Sequence, residues 1–235
     1  MKIGILLICT GKYIMFFEDL YKSCETFFMP NTEKTYYVFT DGDIGNHKNV
    51  IRIEQPFIGF PFDTLMRYEM FYKNKSILEK QDYLYFLNAN MLCVDYINEE
   101  ILPKKENSHL AAVHHPGYKD KPINEYSYER NPNSNFYIPY DNGEFYYQGN
   151  FNGGKSFEFL EMSEKLSKLI NEDVSNGIIP VWWDESAMNW YLLDKNPLRI
   201  SPQYAAPEGW GIQNTKIMSR DKNKFGGHDY LRANK

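Results

Sequence analysis

Runs of strand composition alternate with runs of helical spacing along most of this chain, and that alternation confines it to an α/β fold. Residues 3–9 are apolar and read as a first strand. Phe17, Leu20, Tyr21, Cys24 and Phe28 then recur at helical spacing within residues 13–28. Residues 35–40 return to a strand that ends at the turn signal Asp41-Gly42, and residues 50–53 form a short strand. Met66, Met70, Tyr72 and Ile77 predict a helix from an N-cap at Asp63 to Gln81. Further strands are expected at Tyr83–Leu87 and at residues 110–113, 145–147 and 178–182. Residues 156–171 are amphipathic through Phe159, Met162, Leu166 and Leu169, and Asp184 caps a last helix. The expectation is α/β: one domain spanning residues 1–235, with a mixed central sheet flanked by helices. Residues 116–142, rich in Tyr, Asn and Pro, are long for a connector and read as a functional loop or lid. Residues from about 205 to 235 read as an irregular, basic, mobile tail.

Composition narrows the class. A length of 235 residues suffices for a full core, and 43% hydrophobic with 17% aromatic residues excludes disorder. A formal net charge of −5 argues against a general nucleic-acid partner. Lys216, Arg220, Lys222, Lys224, Arg232 and Lys235 nevertheless gather near the C-terminus and leave room for a local anion site. Cys9, Cys24 and Cys93 have no metal-ligand spacing and no even disulfide framework, which fits a reducing compartment. No apolar run reaches the roughly 18 residues of a transmembrane helix. The expected setting is cytoplasmic.

Asn88-Ala89-Asn90 closes the apolar run Tyr83–Leu87, at the strand edge where open α/β sheets place ligands. Many sugar-nucleotide enzymes carry Asp-x-Asp there to hold a divalent cation against the donor diphosphate. Two neutral amides are poor ligands for a hard dication, so no metal and no other cofactor are expected. Trp182-Trp183-Asp184-Glu185 places two indoles beside two carboxylates, groups that clamp and activate a sugar. The plainer reading makes Asp184 an N-cap and Glu185 a favourable first-turn acid. Residues 149–156 match G-x-x-x-x-G-K-S literally, so a P-loop NTPase is one alternative. Against it, only 79 residues follow Ser156, the preceding strand ends in polar Tyr-Tyr-Gln, and Pro180 interrupts the would-be partner strand. The glycines then serve close approach of backbone to a sugar. A glycan-binding module without activity is the other alternative. His114 and His115, before the long polar loop, read either as an ordinary turn or as an acceptor wall.

As a set, several short strings occur in the order seen in one family. They are Tyr36-Tyr-Val-Phe-Thr-Asp41, Asn88-Ala-Asn90, His115-Pro-Gly-Tyr118, Tyr128-Glu-Arg130, Tyr137-Ile-Pro139, Phe145-Tyr-Tyr147 with Gly153-Gly154, and Trp182-Trp-Asp-Glu-Ser186. From about Ile3 to Tyr204 the chain resembles the family 6 glycosyltransferases, retaining α1,3-galactosyl- and N-acetylgalactosaminyltransferases that include the blood group A and B enzymes. It looks most like short bacterial members, which lack the animal enzymes' anchor and stem.

The resemblance implies a GT-A fold and a hexosyltransferase. Its donor would be UDP-galactose or UDP-N-acetylgalactosamine, and its acceptor an oligosaccharide or glycolipid galactoside, expected to be fucosylated. By matched position, Ile8, Thr10 and Tyr13 would line the uridine pocket, Arg67 would lie near the donor, and Ala89 would meet the ribose. Gln148 and Asn150 match the positions that separate the two donors; the larger Asn150 leans towards galactose. Asp184 would bind the donor sugar. Glu185 would act as nucleophile or as stabiliser of the oxocarbenium ion, and would also face the acceptor together with His115, Ser127 and Trp182. Arg220, Lys222 and Lys224 would meet the diphosphate. Trp183 departs from a usual His, and Pro207 from an often acidic position.

Overall fold

The computed structural model describes residues 1–233; of the basic residues noted above, Lys235 lies outside them. Strand β1 (Lys2–Ile8) leads through a tight 3-10 segment into helix α1 (Phe17–Phe27), β2 (Glu33–Thr40) and β3 (Val50–Glu54). Three short helices follow, α2 (Phe62–Leu65), α3 (Arg67–Lys73) and α4 (Lys75–Leu78). Then come β4 (Tyr83–Leu87), β5 (Met91–Cys93), β6 (Leu110–His114) and the long β7 (Tyr147–Lys155). Helices α5 (Ser156–Ser175) and α6 (Asp184–Leu192) precede β8 (Leu198–Ile200), β9 (Ala206–Pro207), β10 (Ile217–Ser219) and α7 (Gly227–Arg232).

The main sheet has the order β3-β2-β1-β4-β7-β6-β8. Strand β7 pairs antiparallel with both its neighbours, and the remaining pairs are parallel. The expected mixed sheet flanked by helices is therefore present, as in a GT-A domain. Alternation along the strands divides the core. Ile3, Ile5, Leu7, Tyr36 and Val38 pack on one face, towards α1. Leu6, Tyr37 and Phe39 pack on the other, towards α3 and α5. Burial of both faces is why these strands read as continuous apolar runs.

Several expectations change. The helix expected over residues 63–81 is broken into three, and Asp63 is not its cap: it accepts from the Ile58 N–H at 3.0 Å and lies 3.5 Å from Thr10 Oγ1. No strand forms at residues 178–182: residues 178–180 are irregular and a turn follows at 181–183. The P-loop match lies mostly in a strand: residues 151–155 pair with β4, and residues 147, 148 and 152–154 pair with β6 across a register shift. Backbone N–H groups spent in a ladder cannot cradle a phosphate. The glycines answer packing instead, since a Cβ on Gly153 would fall 2.3 Å from the Leu84 carbonyl and one on Gly154 2.3 Å from that of His109. Lys155 Nζ lies over the Tyr83 ring, 5.0 Å from its centroid.

The segment expected to be irregular after Ser201 builds a second sheet, β5-β10-β9, followed by α7. Phe225 and the fully buried Leu231 join the core beside Phe16. The loose, mobile tail expected here is thereby corrected: cutting the chain after Ser219 would strip apolar surface from the cluster that holds Phe16 and Phe28.

Candidate functional site

A cleft of about 590 Å³ opens where β1 and β4 end, opposite the first residues of β7 and the start of α6. Parallel strands leave their C-terminal loops here, which is why ligands collect at this edge. Ile8, Thr10, Tyr13, Asn88, Ala89, Asn90, Gln148, Asn150, Trp182, Asp184, Glu185, Arg220 and Lys222 all line it. Arg67, His115, Ser127 and Lys224 do not, although each stands behind or beside the wall. Arg232, noted above only among the C-terminal basic residues, also lines the cleft, and sequence reading missed Phe57, Phe60, Asp63, Thr64, Trp210 and His228 as site residues. They come from loops, the short helix α2 and the last helix, and carry no pattern that separates them from ordinary surface residues.

The acidic pair is presented by a strained turn. Trp182 and Trp183 have φ of 54° and 55°, a region that bulky residues rarely occupy. The turn makes Trp183 the N-cap position and Asp184 the first helical residue, so the capping role expected for Asp184 does not hold. Its carboxylate instead accepts from Thr64 Oγ1 at 2.7 Å and pairs with Arg67 Nη1 at 2.7 Å. Arg67 is buried, donates to the Gly149 carbonyl at 2.7 Å and to Tyr68 Oη at 2.8 Å, and lies against the Phe86 ring. Burial pushes the Asp184 carboxyl above its ordinary range, with Arg67 and Thr64 pulling it down. Burial works against the Arg67 charge, yet Asp184 and Tyr68 more than offset it and hold the guanidinium's pKa raised.

Glu185 sits next to this pair. Its Oε1 accepts from Tyr146 Oη at 2.8 Å and its Oε2 from the Gly149 N–H at 2.7 Å. Burial raises it to about 7, against the opposing pull of those two donors. A carboxylate poised near neutrality in a cleft is a mark of functional sites.

Two amides of the cleft bond the segment that closes it. Asn90 Nδ2 donates to the Arg220 carbonyl at 2.9 Å, and the Arg220 N–H returns a bond of 2.9 Å to the Asn90 carbonyl. Asn150 Nδ2 holds Ser219 Oγ at 2.9 Å. These amides therefore tether the last segment across the cleft. The oxygens Gln148 Oε1 and Asn150 Oδ1 are buried without a hydrogen-bond partner among the described residues. Arg220 is neutralised by Asp19 at 2.8 Å and Lys224 by Glu208 at 2.6 Å. Lys222 faces the cleft with no ion-pair partner among the described residues, and burial next to Arg232 brings it down to about 8.

His115 and Ser127 lie in a cluster of rings beside Glu185. The His115 Nδ1 accepts from the Gly117 N–H at 3.0 Å, and burial lowers the imidazole to about 4, so it is neutral. Ser127 Oγ bonds the Tyr118 hydroxyl.

A family model for glycosyltransferase family 6 matches residues 1–224. The chain belongs to that family. It is 37% identical over 228 residues to the O-antigen biosynthesis glycosyltransferase WbnI of Escherichia coli, covering 95% of this chain and 96% of that one. Histo-blood group ABO system transferase 1 of Rattus norvegicus is 32% identical over 222 residues, which are 88% of this chain and 62% of its own. Globoside α-1,3-N-acetylgalactosaminyltransferase 1 of Gallus gallus is 31% identical over 219 residues, 87% of this chain and 61% of that one. The chain thus spans about three fifths of these animal relatives. Family membership makes it a transferase that joins a sugar donor to an acceptor, and no helix among the described residues is long and apolar enough to cross a membrane.

Proposed function

We propose that this family 6 enzyme is a retaining, metal-independent α1,3-glycosyltransferase. It would carry galactose or N-acetylgalactosamine from its UDP ester to a galactoside acceptor. The observation that carries the reading is Glu185, a carboxylate fixed by two donors and raised to about 7 at a cleft wall shared with the amide triplet. Uridine would enter along Ile8, Thr10 and Tyr13, with the ribose on the Ala89 backbone. The sugar would stand between Asp184 and the partnerless oxygens of Gln148 and Asn150, which are suited to accept from its hydroxyls. Both Asp184 oxygens already hold protein donors, so a sugar hydroxyl there would share an occupied acceptor. The acceptor would stack on Trp182 near neutral His115, with Ser127 shaping the wall from behind. Bond breakage at the anomeric carbon leaves negative charge on UDP, which Lys222 is placed to meet. A cytoplasmic location belongs to the same reading and is supported by three free cysteines.

Asn88 and Asn90 are amides, and among the described residues no three His, Cys, Asp or Glu side chains converge as a metal site. Transfer is therefore expected to persist in excess EDTA and to gain little from Mn²⁺, with UDP alone raising the melting temperature. Activity abolished by chelation and restored by Mn²⁺ would refute metal independence. Stabilisation by ATP with Mg²⁺ but not by UDP would refute the donor class, and UDP-sugar binding with no transfer to any galactoside would leave a binding module.

Lys222 supplies a second test. A charge-assisted contact to phosphate contributes about 1.5–3 kcal/mol, so Lys222→Met is expected to weaken UDP binding by roughly 10- to 100-fold. The wild-type affinity should itself decline as pH rises through about 8, where the amine loses its proton. Titration calorimetry across pH checks both, and an unchanged affinity in the variant removes Lys222 from the diphosphate site.

A further inference from the structure

Behind the cleft wall lies a nest of tyrosines that the proposed chemistry leaves unused. Tyr118, Tyr126 and Tyr128 surround Tyr146, with ring centroids 4.5, 6.0 and 5.3 Å from its own. His115 adds an edge contact at 5.6 Å, and the His115 N–H donates to the Tyr146 carbonyl at 2.9 Å. Tyr146 is fully buried and directly precedes β7, so its ring is held from both the sheet and the long loop.

One hydroxyl proton faces two acceptors. Glu185 Oε1 is 2.8 Å away and the Ser127 carbonyl 3.3 Å. The shorter and charge-assisted contact takes the proton. Burial, reinforced by Glu185, keeps the Tyr146 phenol far above its ordinary range, so it stays protonated and can only donate to that anion.

We propose that Tyr146 is a positioning residue of the transfer reaction, whose buried hydroxyl aims Glu185 and holds that side chain as its carboxylate. The proposal rests on Glu185 as the acting group. With Gly149 holding Oε2 and Tyr146 holding Oε1, both oxygens are fixed, and the carboxylate plane cannot turn. A group that must meet a developing anomeric cation gains from such preorganisation. The other charges facing Glu185 do not replace this bond. Arg67 favours the anion from behind Asp184, while Asp184 and burial oppose it. His115 is neutral, and the phenols of Tyr118, Tyr126 and Tyr128 point to Ser127, Glu144 and Phe145.

Tyr146→Phe keeps the ring and removes the donor. The readout is the carboxyl carbon resonance of Glu185 in protein labelled at glutamate side chains, assigned by its disappearance in Glu185→Gln. The wild-type resonance should titrate near 7, and that of the variant about one pH unit or more higher. The acid limb of kcat should move up with it, while KM for the donor stays within about twofold. Substituting 3-fluorotyrosine at position 146, a stronger donor of nearly the same shape, should move the midpoint down. Midpoints that stay put in both variants overturn the proposal, as does a uniform loss of kcat at every pH with an unmoved limb. Near-normal turnover in Glu185→Gln would instead defeat the reading of Glu185 itself, so the two failures are distinct.

Discussion

Glu185→Gln is expected to lower kcat by about 10²- to 10³-fold while UDP binding stays within a few-fold of wild type, the pattern of a group needed in the transition state. An amide is isosteric but carries no charge to stabilise or attack a developing anomeric cation. The diphosphate would meet Lys222, on a different segment, so ground-state affinity should survive. Stability adds an independent signature. The folded-state value is near 7 against an ordinary 4.5, so between those pH values the unfolded chain ionises first. Wild type should lose stability relative to the Gln variant as pH rises across that window, and below it the two should differ by a constant amount. Single-turnover kinetics with urea unfolding at several pH values check both halves. A Gln variant with near-normal turnover would exclude Glu185 from the chemistry.

Arg67→Met should be the most destabilising single change around the site. Arg67 and Asp184 form a buried pair, and removing one member strands the other's charge, at a cost of about 3–5 kcal/mol. The same guanidinium also holds the Gly149 carbonyl, whose residue donates to Glu185. Loss of Arg67 should therefore loosen Glu185 and slow transfer as well. Because the penalty arises from a stranded charge, Arg67→Met combined with Asp184→Asn should recover much of the stability but not the activity. Denaturant unfolding of the two single variants and the double variant checks this. Additive losses would show that the pair is not energetically coupled.

Much of the site was legible because its markers are local. Asn88-Ala-Asn90 follows an apolar strand, and the ligand edge of an α/β sheet follows every such strand, so position along the chain implied position in space. Trp182-Trp183-Asp184-Glu185 was legible as a set of sugar-handling side chains. Strings stayed open to two readings where they serve two backbones. Residues 149–156 satisfy a phosphate-loop spacing, but glycine also appears wherever two backbones approach closely, and only the pairing of β7 with β4 and β6 separates those causes. Likewise Asp63 and Asp184 each precede helical spacing, yet Asp63 accepts from the Ile58 N–H just upstream and Asp184 pairs with the distant Arg67.

The sequence by itself determined the alternation of strands and helices and the family, because those follow from side-chain polarity and from short strings read in order. Only the tertiary structure decided what each charge does. Arg220 and Lys224 read as free cations of a loose tail, but Asp19, far away along the chain, and Glu208, within the tail itself, neutralise them. Arg67, expected near the donor, is the buried partner of Asp184 just behind the cleft wall. Lys222 and Glu185 keep their places in the cleft, and their poise depends on burial. Desolvation and pairing are set by what lies within a few ångströms in space, and chain order does not encode that distance.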